Sequence, residues 1–128
     1  MRLLLDTCCW LWWLNDTDKL SKQQLKAIID RRNQLFLSVA SIWELSIKVN
    51  NKKLAIPQPL NKLVERECPI DNISLLNIKP IHAIKAGDLP LHHKDPFDRM
   101  IIAQAKLENL IIVTSDSIFQ QYDVAVLP

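Results

Sequence analysis

The chain has 128 residues, of which 48% are hydrophobic and 23% charged, with a formal charge of +2 and one glycine, Gly87. That length buries one substantial core and points to a single domain, residues 1–128. A dinucleotide fingerprint or a phosphate-cradling loop needs two or three glycines at fixed spacing, so both are excluded.

Residues 3–5 (LLL) form a continuous apolar run suited to a strand buried on both faces. Residues 7–14, with three tryptophans, read as a buried helix, and Asn15 to Asp18 as a polar loop. Ser21 and Gln24 then form a capping box, with Leu20 and Leu25 placed as its hydrophobic staple. A helix follows to about Arg32, and residues 34–38 (QLFLS) give a second strand. Val39, Ile42, Trp43 and Ile47 repeat at a helical period over residues 39–51. Pro57 and Pro59 open a further helix to about Glu67, and residues 72–76 (NISLL) are a third strand. Residues 79–86 read as a short helix with Gly87 as its C-cap. Asp95 and Pro96 start the strongest helix, which runs to about Glu108. Residues 110–114 are a buried strand, and a helical turn and a last strand at 124–126 close the chain. Strands alternating with helices imply an α/β fold: a parallel sheet of about five strands with helices on both faces.

Ten basic residues lie between positions 19 and 66 against only Asp30, Glu44 and Glu65, so this stretch carries +7 and the remainder −5. It suits either a nucleic-acid backbone or ordinary solvated helix faces. Cys8, Cys9 and Cys68 show no paired C-x-x-C spacing, which fits reduced thiols in a cytoplasmic protein. No apolar run approaches the roughly 20 residues of a membrane span, and Asp6 splits the apolar N-terminus. No membrane association is expected.

Parallel sheets build sites at the carboxyl ends of their strands. Asp6 directly follows the first strand, and Asp116 closely follows the fourth. Glu44 lies in the helix after the second strand, and Asp98 in the first turn of the helix entered through Asp95 and Pro96. Four carboxylates at one edge raise each other's pKa values. A divalent cation relieves this, and hard oxygen donors suit Mg²⁺ or Mn²⁺, which can activate water against a phosphodiester. Each acid also has a structural alternative. Asp6 suits a helix cap or a turn, and Asp116 a turn. Ser41 and Glu44 could form a capping box, or Glu44 could pair with Lys48. Asp95 suits an N-cap, and Asp98 at N3 favours the helix dipole. His92 and His93 could supply a ligand or a base, but beside Lys94 they read as an exposed loop. Cys8 and Cys9 read as buried packing, and Trp10, Trp12, Trp13 and Trp43 as core more than base-stacking residues.

Four segments then resemble one family: Leu3-Leu4-Leu5-Asp6-Thr7; residues 38–48 around Glu44; residues 95–105 from Asp95-Pro96-Phe97-Asp98-Arg99; and Val113-Thr114-Ser115-Asp116 with Phe119. In this order they resemble the PIN-domain ribonucleases, specifically the VapC-like toxins of type II toxin–antitoxin systems. The resemblance implies a three-layer α/β/α, Rossmann-like PIN fold. It implies metal-binding acids at Asp6, Glu44, Asp98 and Asp116, with Asp95 as an outer member. Thr114 or Ser115 resembles the hydroxyl residue that supports the fourth acid. It further implies a Mg²⁺- or Mn²⁺-dependent endoribonuclease, dimeric and silenced by a small antitoxin. Lys48, Lys94 and Arg99 are candidates for the RNA backbone. Cys8 departs from the His that many relatives carry there. Competing classes are a non-catalytic protein of the same fold and a metal-dependent phosphatase or DNA nuclease.

Overall fold

Leu3, Leu4 and Leu5 are wholly buried in β1 (Arg2–Leu5), the central strand of a computed structural model that describes residues 1–128. Successive side chains of a strand point to opposite faces. Leu3 and Leu5 accordingly enter one core with Leu35, Leu37, Ile73 and Val113. Leu4 enters a second core with Ile101, Ile102, Ala105 and Ile112. The apolar run therefore feeds two helical layers at once.

β2 (Gln34–Ser38), β3 (Ile73–Leu76), β4 (Ile111–Val113) and β5 (Val126–Leu127) complete a five-stranded sheet in the order β3-β2-β1-β4-β5, with every pair parallel. Cys9 and Trp10 of α1 (Thr7–Asn15), Ala27 and Ile28 of α2 (Lys22–Ile29), Leu45 of α3 (Val39–Asn50) and Cys68 of α4 (Leu60–Ile70) fill the first core. Ala86 of α5 (Pro80–Asp88) and the apolar face of α6 (Pro96–Glu108) fill the second. This is the three-layer α/β/α arrangement expected. No helix is long and apolar enough to cross a membrane.

The chain winds outward from β1 through β2 to β3, then returns to place β4 on the other side of β1. The winding therefore reverses between β1 and β4, where open parallel sheets leave a crevice at their carboxyl ends. Asp6 emerges from one lip of that crevice, and Thr114 to Asp116 from the other. Asp6 N–H donates to Val113 O at 3.0 Å and joins the two lips.

Several local expectations need correction. Gly87 lies inside α5, not beyond its end, and a Cβ there would meet nothing within 4 Å. The left-handed positions fall instead on Lys52, Asn72 and Asn109, and Asn109 caps α6 with φ 55° and ψ 52°. Ser38 caps α3 by accepting from Ala40 N–H, so Ser41 and Glu44 form no capping box. α4 continues to Ile70, with Pro69 in its last turn. Trp43 is 61% exposed, whereas Trp10 is fully buried and Trp12 and Trp13 are half-buried. The Ser21–Gln24 capping box forms as read.

Candidate active site

Asp6 is the N-cap of α1, and its Oδ1 accepts from Cys9 N–H at 2.7 Å. Its Oδ2 accepts from the Thr114 hydroxyl of the neighbouring strand end. The same Thr114 oxygen accepts from Asp116 N–H at 3.1 Å. One hydroxyl thus ties the first and last acids of the cleft together. Ser115, the other hydroxyl candidate, accepts from Gln24 Nε2 at 3.2 Å. Thr114, therefore, is the residue that supports the acids.

Glu44 is buried on α3 at 6% exposure. Its Oε1 accepts from Thr7 Oγ1 at 2.9 Å, and its Oε2 meets Lys48 Nζ at 2.9 Å. Thr7 also bonds Ser41, so the first residue of α1 fixes α3 against the strand end. The Glu44 carboxylate raises the Lys48 amine above its ordinary value. Asp98 sits one turn into α6, behind the Asp95 cap whose Oδ1 accepts from Phe97 and Asp98 N–H. All five acids, Asp6, Glu44, Asp95, Asp98 and Asp116, line one cleft at the crevice, with Lys48, Cys8 and Trp12 at its walls.

Electrostatics in this cleft is strained. Burial pushes the Asp6 carboxyl above the usual carboxylate range despite its Thr114 and Cys9 hydrogen bonds, and Asp116 adds to the rise. Burial, the Asp95 charge and, more weakly, Glu44 and Asp6 push Asp98 up to about 7, with His93 opposing them. Hard oxygen donors carrying more negative charge than their neighbours offset form a donor set that fits Mg²⁺ or Mn²⁺. Asp6, Glu44, Asp98 and Asp116 are the residues that would hold such an ion.

Three candidates take other places than expected. Arg99 is no surface cation for RNA. It is 8% exposed, and its guanidinium donates to the carbonyls of Ala86, Leu89 and Pro90 at 2.8–2.9 Å and to His93 O at 3.2 Å. Cys8 is exposed on the cleft wall, and only Cys9 and Cys68 are buried. His93 is the residue that sequence reasoning missed. Its Nε2 lies 2.9 Å from Asp98 Oδ2 and 3.2 Å from Asp116 Oδ2, inside the acid cluster. The one signal for it was its position two residues before the Asp95 cap. His92 and Lys94 beside it are exposed, as read. Of the ten basic residues between positions 19 and 66, Lys48 is the one on the cleft wall.

A direct comparison with curated protein sequences finds no significant match. Among solved structures, the chain is similar to one in the VapBC2 complex of Rickettsia felis bound to a DNA fragment from its promoter. That likeness has a TM-score of 0.72 and 15% identity, over 99% of this chain and 98% of that one. It is also similar to a chain of FitAcB from Neisseria gonorrhoeae, with a TM-score of 0.67 and 22% identity over 98% and 96% of the two chains. A third is in a toxin–antitoxin complex from Klebsiella pneumoniae, with a TM-score of 0.63 and 17% identity over 98% and 96%. These likenesses are of fold. The family model for the PIN domain matches residues 3–125 and so takes in β1, β4 and every acid of the cleft. The chain belongs to the PIN domain family.

Proposed function

We propose that the chain is a divalent-cation-dependent endoribonuclease acting as the toxin of a type II toxin–antitoxin pair. The observation that carries this reading is the meeting of Asp6, Glu44, Asp98 and Asp116 in one cleft at the switch point of the sheet. Four carboxylates offset by one ammonium, that of Lys48, are unfavourable for the protein alone and useful to a bound cation. Hydrolysis breaks one P–O ester bond and delivers the oxygen of water to phosphorus. When bound, Mg²⁺ or Mn²⁺ supplies a water of lowered pKa and offsets charge on the departing oxygen.

The residues of the chain divide the remaining work. Asp6, Glu44 and Asp98 would hold the cation, and Asp116 would complete that site or hold a second ion weakly. Thr7 and Thr114 orient Glu44 and Asp6 by hydrogen bonds from opposite sides. Lys48, half-exposed beside Glu44, offers its ammonium to a backbone phosphate, and Lys94 extends that attraction from the α6 entry loop. A small antitoxin as partner is supported by the fold shared with a chain of a toxin–antitoxin complex. A homodimer is supported by exposed apolar side chains at Trp43 and Ile47 on α3 and at Ile81 and Ile84 on α5.

Purified protein is assayed on single-stranded RNA, single-stranded DNA and a phosphomonoester, with Mg²⁺ and with excess EDTA. Cleavage of RNA alone, abolished by EDTA, is the expected result. Hydrolysis of DNA or of the monoester in preference to RNA replaces this reading with a DNA nuclease or a phosphatase. No reaction on any substrate favours a non-catalytic interaction protein.

A further inference from the structure

His93 is held on every side. Its backbone N–H donates to the Tyr122 hydroxyl at 2.8 Å, and that hydroxyl donates to Pro90 O at 2.7 Å. Its carbonyl accepts from Arg99 at 3.2 Å, and its ring packs edge-on against Phe119 with centroids 5.7 Å apart. A side chain fixed by so many separate contacts has its ring direction determined before any ligand arrives.

The two ring nitrogens have different duties. Asp95 N–H donates to Nδ1 at 3.2 Å, so Nδ1 is the acceptor and the proton of the neutral ring lies on Nε2. Nε2 therefore donates to Asp116 Oδ2 at 3.2 Å, with Asp98 Oδ2 beside it at 2.9 Å, and all three atoms lie within 4.8 Å of one another. Asp98 belongs to α6 and Asp116 follows β4, and the only direct side-chain contact they share is this imidazole.

We infer that His93 is a positioning residue that uses its Nε2–H to aim the Asp116 carboxylate into the cleft beside Asp98, and so sets the affinity of the site for a divalent cation. Hydrogen bonds to metal-ligating carboxylates fix their orientation before the ion enters. The inference rests on the reading of these acids as cation ligands.

Two substitutions separate this role from simple support of the loop. In His93→Gln, the side-chain amide reaches the position of Nε2 and can donate to Asp116, but the acceptor for Asp95 N–H is lost. In His93→Asn, the amide oxygen overlies Nδ1 and keeps the Asp95 contact, but nothing reaches the carboxylates. Mn²⁺ alone is titrated calorimetrically into the full chain for the parent and both variants, with urea stability measured on each. The Gln variant is expected to stay within about threefold of the parent affinity and the Asn variant to bind about 10–100-fold more weakly. Affinity of the Asn variant equal to that of the parent overturns the inference while leaving the cation site standing. So does a Gln variant that binds as weakly as the Asn variant is expected to, whatever happens to the fold of the latter. A parent chain that binds no Mn²⁺ at millimolar concentration overturns both the cation reading and this inference.

Discussion

The Thr114 hydroxyl donates to Asp6 and accepts from the Asp116 amide, so its removal leaves two polar groups unpaired inside the cleft. Thr114→Val is expected to lower stability by about 1–3 kcal/mol, whereas Thr114→Ser keeps both contacts and most of the stability. Urea unfolding of the two variants checks this. Asp98 gives a pH dependence. Its carboxyl is raised to about 7 in the folded chain, so without a cation the folded state holds a proton that the unfolded state releases near pH 4. Its contribution favours folding fully below that lower value and is lost as pH rises through 7. Unfolding in EDTA at pH 5 and pH 8 is expected to show the loss, and Mg²⁺ at pH 8 to reverse it, because the cation competes with the proton. Asp6, Asp98 and Asp116 were legible in the sequence because each lies at a strand end or in a first helical turn, and Glu44 because it lies in the helix that follows the second strand. His93 was not, because its partners lie 5 and 23 residues away and its anchor, Tyr122, 29 residues away.

At the scale of elements, Arg99 converts the turn between α5 and α6 into a fixed platform. Its fork satisfies carbonyls at the end of α5 and along the loop that carries His93. A lysine amine cannot reproduce that planar arrangement. Arg99→Lys is expected to destabilise the chain by about 2–3 kcal/mol, through buried carbonyls left unpaired, and to weaken Mn²⁺ binding through His93. Ser21→Ala, which removes the α2 cap, should lose about 1 kcal/mol of stability. Caps built from neighbouring residues, such as Ser21 and Gln24 or Asp95 and Pro96, were readable because their partners lie within one turn. The mistaken capping box at Ser41 has the same origin. Its spacing was right, but Ser38 begins the helix three residues earlier and Ser41 turns to Thr7 across the interior. Arg99 was read as a surface cation because nothing local shows that the carbonyls of Ala86, Gly87, Leu89, Pro90 and His93 converge on it.

The whole molecule depends on strand order. Alternating apolar runs and helical periods reveal a parallel α/β sheet, yet they do not say that β4 returns beside β1. That return brings Asp6 to Thr114 and Asp116 across 108 residues of chain and creates the crevice. Exposed apolar surface is the other property set at this scale. Trp43 meets Phe97 edge-on at 5.1 Å and opens onto a groove also lined by Ala40, Ile78 and Met100. The helical period alone placed Trp43 in the core, because an apolar stripe marks a buried face without saying which partner covers it. If a second copy covers this one, the parent sediments as a dimer and Trp43→Glu as a folded monomer. An unchanged mass for the variant removes α3 from the interface.

The proposed cation chemistry on RNA centres on Asp6, which is bonded to both the α1 backbone and Thr114. The direct measurement is the rate of single-stranded RNA cleavage in Mg²⁺ by the parent and by folded Asp6→Asn, side by side. Parent cleavage that disappears in EDTA, with at least a ~100-fold loss in the variant, is the expected result. Cleavage by Asp6→Asn at the parent rate would contradict it.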